Sequence, residues 1–80
     1  VGFMPLNEAV SKRILELCNQ RNLTINKLAN VCGITQSTLN DMIKCKYKSP
    51  NLKTIYYICF GLNIALHDFF NSSLFENIDE

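Results

Sequence analysis

The chain of 80 residues carries a single histidine, and its four cysteines, Cys18, Cys32, Cys45 and Cys59, stand 13 or 14 residues apart. With no C-x-x-C pair the spacing offers no zinc knuckle, so no metal and no cofactor is expected. One histidine, His67, closes off most acid and base schemes. There is also no nucleophile-and-base set and no phosphate-cradling loop, so no catalytic residue is assigned and no enzyme is expected. No apolar run approaches the roughly 20 residues that span a bilayer, and no basic segment followed by a hydrophobic stretch marks a signal peptide. A cytoplasmic location without membrane contact is the expectation. The last twenty residues lack lysine and arginine altogether.

What is present fits one folded domain. Apolar residues make up 48% of the chain and charged residues 19%, a balance that suits a packed core and not a disordered segment. A chain this short builds one modest core. Net charge is only +1, but its distribution is uneven. Lys12 and Arg13 balance Glu8 and Glu16 in the first twenty residues. Residues 21–60 hold Arg21, Lys27, Lys44, Lys46, Lys48 and Lys53 against one acid, Asp41, and residues 61–80 hold Asp68, Glu76, Asp79 and Glu80.

Apolar periodicity predicts helices throughout. The first runs from about Asn7, as cap, to Gln20, with Val10, Ile14, Leu17 and Cys18 inward. Ile25, Leu28, Ala29 and Cys32 recur at i, i+3, i+4 and i+7, a second helix capped by Thr24 and ended by Gly33. Thr35 caps a third, about Gln36 to Lys44, with Leu39, Met42 and Ile43 inward. A basic loop, Lys44 to Ser49, precedes a fourth helix that should take Ser49 as cap, Pro50 at its first position and Gly61 at its end. Its inward stripe is Leu52, Ile55, Ile58, Cys59 and Leu62. A fifth helix is expected over Leu66 to Asn71, closing the core with Leu66, Phe69 and Phe70, with Asp68 favouring its start. In the tail, Leu74, Phe75 and Ile78 keep helical spacing. Cys18, Cys32 and Cys59 fall on inward faces as small hydrophobes, whereas Cys45, between Lys44 and Lys46, is placed as a reactive thiol would be.

The outward stripe of the third helix carries Gln36, Ser37, Asn40, Asp41 and Lys44. Amides donate and accept at once, which matches the paired donor and acceptor of adenine in a DNA major groove. A merely solvated face would carry more Glu and Lys. Ala29 is small enough for two helices to cross closely at a short turn.

These residues resemble the helix-turn-helix of Cro/C1-type phage repressors and small bacterial regulators, over about residues 8–70. The resemblance rests on Ala29, Gly33, the apolar positions Leu28, Cys32, Ile34, Leu39 and Met42, and the segment Lys46 to Ile55. It implies an all-α, five-helix bundle of the lambda-repressor-like type and a DNA-binding transcriptional regulator of repressor kind. It also implies a homodimer on double-stranded DNA with a two-fold symmetric operator. On that reading residues 1–6 are an N-terminal extension whose first three residues are an added or processed start. Residues 7–71 are the DNA-binding domain and 72–80 an acidic tail.

Candidate base contacts are Gln36, Ser37, Asn40 and Asp41, the last either accepting from a cytosine amino group or pairing with a lysine. Candidate phosphate contacts are Thr24, Asn26, Thr35, Thr38, Lys44, Lys46 and Lys48. Tyr56, Tyr57 and Phe60 share the outward side of the fourth helix and are candidate dimer contacts. A competing reading makes the same bundle a protein-interaction module that uses this aromatic face. No ligand domain is evident, so no small-molecule effector is expected. Two positions depart from the family pattern. Ile25 replaces a glutamine that commonly touches phosphate, and Cys45 replaces a turn glycine.

Overall fold

The computed structural model describes residues 3–79; Val1, Gly2 and Glu80, the outer ends of the expected extension and tail, lie outside the described residues. Five α-helices follow one another: α1 (Leu6–Gln20), α2 (Ile25–Cys32), α3 (Gln36–Ile43), α4 (Leu52–Leu62) and α5 (Leu66–Phe69), then a 3-10 turn over Ser73–Phe75. This is the all-α five-helix bundle that the periodicity and the resemblance predict.

The core gathers one stripe from each helix. Val10, Ile14, Leu17 and Cys18 of α1 meet Leu28, Ala29 and Cys32 of α2, Leu39 and Met42 of α3, Ile55, Ile58, Cys59 and Leu62 of α4, and Phe69 of α5. Burial pushes the thiols of Cys18, Cys32 and Cys59 up, that of Cys32 to about 11. All three are therefore protonated and act as apolar filling at neutral pH. No group of His, Cys, Asp and Glu that could hold a metal is present among the described residues. No described helix is long and apolar enough to cross a membrane.

Several boundaries differ from the sequence expectation. The N-cap of α1 is Pro5, in extended conformation without a side-chain cap bond, and the Asn7 amide instead donates to the Tyr47 carbonyl at 2.8 Å. α4 begins at Leu52, because the Asn51 side chain accepts from Lys53 N at 2.8 Å and thereby caps the helix two residues past Ser49. Leu52 consequently sits on the first turn at 61% exposure, outside the core. Gly61 does not end α4; the helix runs on to Leu62 and closes at Asn63 in the left-handed conformation, φ 58°. A Cβ on Gly61 would lie 2.6 Å from Cys32 Sγ and 2.9 Å from Cys32 Cα, so this glycine permits the close approach of α4 to α2. α5 stops at Phe69, and only Phe69 among the three expected core residues is fully buried. Phe70 instead meets Phe69 and Phe75 edge-on, with ring centroids 5.0 Å apart in both pairs.

Arg13 is buried, which charge counting along the sequence does not reveal. Its Nε donates to the Phe69 carbonyl at 2.6 Å and its Nη2 to the Asp68 carbonyl at 2.8 Å, while Nη1 pairs with Glu16. The guanidinium thus satisfies the Phe69 carbonyl, shares the Asp68 carbonyl with Asn71 N, and places its charge where the helix dipole is negative. At the other end of α5, Ala65 offers no hydroxyl cap, and the Asp68 carboxylate accepts from Ala65 N at 3.1 Å instead. The tail packs on the domain. Phe75 lies against the core, and Ile78 forms a parallel bridge with Met4, where Met4 N donates to Asn77 O and Asp79 N to Met4 O.

Candidate nucleic-acid interface

α2 and α3 are joined by three residues, and each has a threonine at its start. Thr24 Oγ1 accepts from Lys27 N at 3.1 Å and Thr35 Oγ1 from Thr38 N at 3.1 Å. Each cap satisfies a backbone donor that the first helical turn leaves open. Thr35 also donates to Thr38 Oγ1 at 2.8 Å. Between the helices Gly33 has φ 71°, and nothing stands within 4 Å of where its Cβ would be. Backbone conformation and not space keeps glycine there. Ala29 is fully buried on the inward face of α2.

The far end of α3 is fixed from α1. Ser11, itself buried, donates from Oγ to the Ile43 carbonyl at 2.6 Å, and Asn7 holds the Tyr47 carbonyl of the following loop. Cys45 takes φ 58° without being glycine, its thiol directed to the Asn7 carbonyl at 3.7 Å. The turn expected to need glycine therefore keeps its left-handed shape, at the conformational cost of a side chain there.

With α3 held at both ends, Leu39 and Met42 point inward while Gln36, Ser37 and Asn40 are exposed on one side. Asp41 is half-buried beside them, its Oδ1 3.5 Å from Lys46 Nζ and its Oδ2 3.4 Å from the Tyr47 hydroxyl. Of the two roles open to Asp41, the free protein holds the lysine pairing. Lys44, Lys46 and Lys48 are exposed in the loop after α3, and Thr24 and Asn26 are exposed at the start of α2. Thr35 and Thr38 face each other at the head of α3, where their hydroxyls are already engaged. Thr38 also lines an open cleft of about 300 Å³ with Met42, Tyr47, Ser49, Asn51 and Thr54. Ile25 packs against the core, so its side chain replaces a polar group with an apolar anchor. Sequence reasoning did not single out Asn7 as a loop clamp, Ser11 or Tyr47; the one available signal was a serine at a position on α1 adjoining the inward stripe.

The second exposed face lies on α4. Tyr56 stacks near Tyr57 and Phe60, centroids 6.1 and 6.2 Å apart, and Lys53 Nζ stands 5.9 Å from the Tyr57 ring centre. Phe60 is 74% exposed, and it lines a shallow groove with Tyr56, Ile64 and Leu66.

Two helices crossing at a small residue, a left-handed turn glycine, a capped second helix with a polar outer face and a basic loop beyond it define a helix-turn-helix. Residues 13–72 match the model of the Cro/C1-type HTH DNA-binding domain, and the chain belongs to that family. Its members bind DNA and regulate transcription, and this chain is a DNA-binding helix-turn-helix protein. Among solved structures, the crystal structure of the prophage Lp1 protein 11 is similar at 41% sequence identity and a TM-score of 0.79, covering 89% of this chain and 93% of that one. No curated protein matches.

Proposed function

We propose that the protein is a sequence-specific transcriptional repressor that binds a two-fold symmetric operator as a homodimer, with α3 in the major groove. The observation that carries this reading is the exposed amide and hydroxyl side of α3, pinned at both ends and flanked by lysines. Gln36, Ser37 and Asn40 are the base-reading side chains, Asn40 and Gln36 matching the donor and acceptor of adenine. Lys44, Lys46 and Lys48 hold phosphates on one side, with Thr24 and Asn26 at the start of α2 on the other. Thr35 and Thr38 serve mainly to set the helix start that presents these groups.

Tyr56, Tyr57 and Phe60 supply the surface on which two copies pair. Their exposure on the helix side away from the core supports a buried partner. The long dimension of one chain, 33 Å, is close to one DNA turn of about 34 Å. The same aromatic face supports a second reading, in which it binds a different protein.

Selection of bound sites from random duplex DNA, repeated at several salt concentrations, tests the proposal. The expected result is a two-fold symmetric motif whose half-sites lie about one helical turn apart. Binding without any selected motif would overturn sequence-specific regulation and favour the protein-partner reading.

A further inference from the structure

We propose that Asp41 acts as an internal stand-in for a DNA phosphate, occupying Lys46 and Tyr47 in the free protein, and that the Tyr47 hydroxyl becomes a phosphate donor in the complex. This inference rests on the reading that α3 enters the DNA groove. Asp41 is the one acid among residues 21–60, and it sits on α3 next to Asn40 and one turn beyond Ser37. Its two oxygens are divided between two donors from the next loop: Oδ1 faces Lys46 Nζ at 3.5 Å and Oδ2 faces the Tyr47 hydroxyl at 3.4 Å. A phosphate group presents two unbridged oxygens in much the same way.

The backbone of this clamp is fixed while its side-chain bonds are loose. Lys46 N donates to the Asp41 carbonyl at 3.0 Å and Asn7 holds the Tyr47 carbonyl at 2.8 Å, so the donors stay in place. Both side-chain distances exceed those of well-formed charge-assisted bonds, and the Lys46 side chain is 62% exposed. A weakly held, exposed pair exchanges partners readily. When a phosphate takes Lys46 and Tyr47, Asp41 is left with its charge uncompensated beside the DNA backbone. That repulsion offsets part of the lysine contact on every sequence. The penalty is common to operator and random DNA, so Asp41 lowers both affinities by the same factor, and at a given protein concentration only a site that also satisfies Gln36, Ser37 and Asn40 stays bound.

The test compares Asp41→Asn, Lys46→Ala and Tyr47→Phe, the Lys46→Ala, Tyr47→Phe double variant and the combination of all three, on the selected operator and on a random duplex over a range of salt. Asp41→Asn should bind random DNA about three- to tenfold more tightly near 0.1 M salt, with a salt slope steeper by about 0.9. Operator affinity should rise by the same factor, so that the ratio of operator to random affinity is unchanged. Tyr47→Phe should weaken both duplexes alike, and in the Lys46→Ala, Tyr47→Phe background the gain from Asp41→Asn should shrink to less than half. Weaker operator binding by Asp41→Asn with random DNA untouched would assign Asp41 to a cytosine and overturn the inference. So would an unchanged random affinity. A wild-type chain with no duplex affinity would remove the groove reading itself and the inference with it, a result distinct from both because no variant then has an affinity to change.

Discussion

The outer faces of α3 and α4 are both exposed and both flank the same core, yet they are built in opposite ways. On α3 short polar groups ride on a backbone held by the Thr35 cap at one end and the Ser11 bond to Ile43 at the other. On α4 the Tyr56 ring lies about 6 Å from those of Tyr57 and Phe60, tilted against both, on the free side of a helix whose ends are closed by its own flanking residues, Asn51 and Asn63. Hydrogen bonds weaken steeply with misalignment, so a base-reading face needs a fixed frame. Burial of apolar area has no direction, so a pairing face needs only extent. One small core thus supports two kinds of recognition by tying the end of α3 to another helix through Ser11 while α4 is closed by caps from its own flanks.

The largest effect is expected beneath the polar face. Leu39 is fully buried on the inner side of α3, and Leu39→Ala should cost about 2–5 kcal/mol of stability in a denaturant titration. The sequence selected from random DNA should nevertheless stay the same below the new unfolding midpoint. A changed motif would show that the two sides of α3 are not separable, which breaks the comparison.

Gly61→Ala comes next, because it acts where α4 packs on α2, the helix that leads into α3. The added methyl meets the backbone of Cys32, which cannot rotate away, so α2 and α4 must part. Overpacking of this kind costs about 1–3 kcal/mol. Amide chemical shifts should move at Val31 and Cys32 and at Phe60 together. Unchanged stability would mean that the two helices have slack, and that the faces are less firmly related than the packing indicates.

The contrast between the faces is partly legible in the amino-acid sequence. Local signals carried α2 and α3: the i, i+3, i+4 apolar spacing, a threonine before each helix and a glycine between them were enough to place Leu39 inward and Gln36 outward. What escaped was non-local. Asn7 has the right residue type for a cap, but its amide is taken by Tyr47, forty positions away. Arg13 reads as a surface charge until α5 folds back and offers the carbonyls of Asp68 and Phe69. Gly61 reads as a helix stop, whereas its role is set by Cys32 on another helix. At the start of α4, Ser49 and Asn51 both carry an oxygen that can cap, and only the final geometry selects the asparagine.

Gln36→Ala probes the polar face directly. At an exposed position on the first turn of α3 it should leave stability within about 0.5 kcal/mol, while operator affinity falls by about 1–3 kcal/mol with selectivity relaxed at one base pair. Lys46→Ala is the control for a phosphate contact, weakening all sequences alike and flattening the salt slope. Equal effects of the two changes on random DNA would remove the distinction between reading and holding on which the assignment of α3 rests.

Phe60→Ala should disturb the folded chain least of all. The ring is 74% exposed, so its removal forfeits little burial within one chain and should change the unfolding free energy of dilute protein by no more than about 0.5 kcal/mol. Its effect should instead be read between chains. Sedimentation equilibrium should show a weaker self-association, by about 1–2 kcal/mol if Phe60 is an aromatic anchor at the pairing surface. On DNA, affinity for an isolated half-site should be unchanged, while the full two-fold site should lose the advantage that pairing confers. Lower half-site affinity would mean that the α4 face acts through α3, so the two faces would be one system. Unchanged self-association would take the pairing role from Phe60 and leave its exposed ring to a different partner.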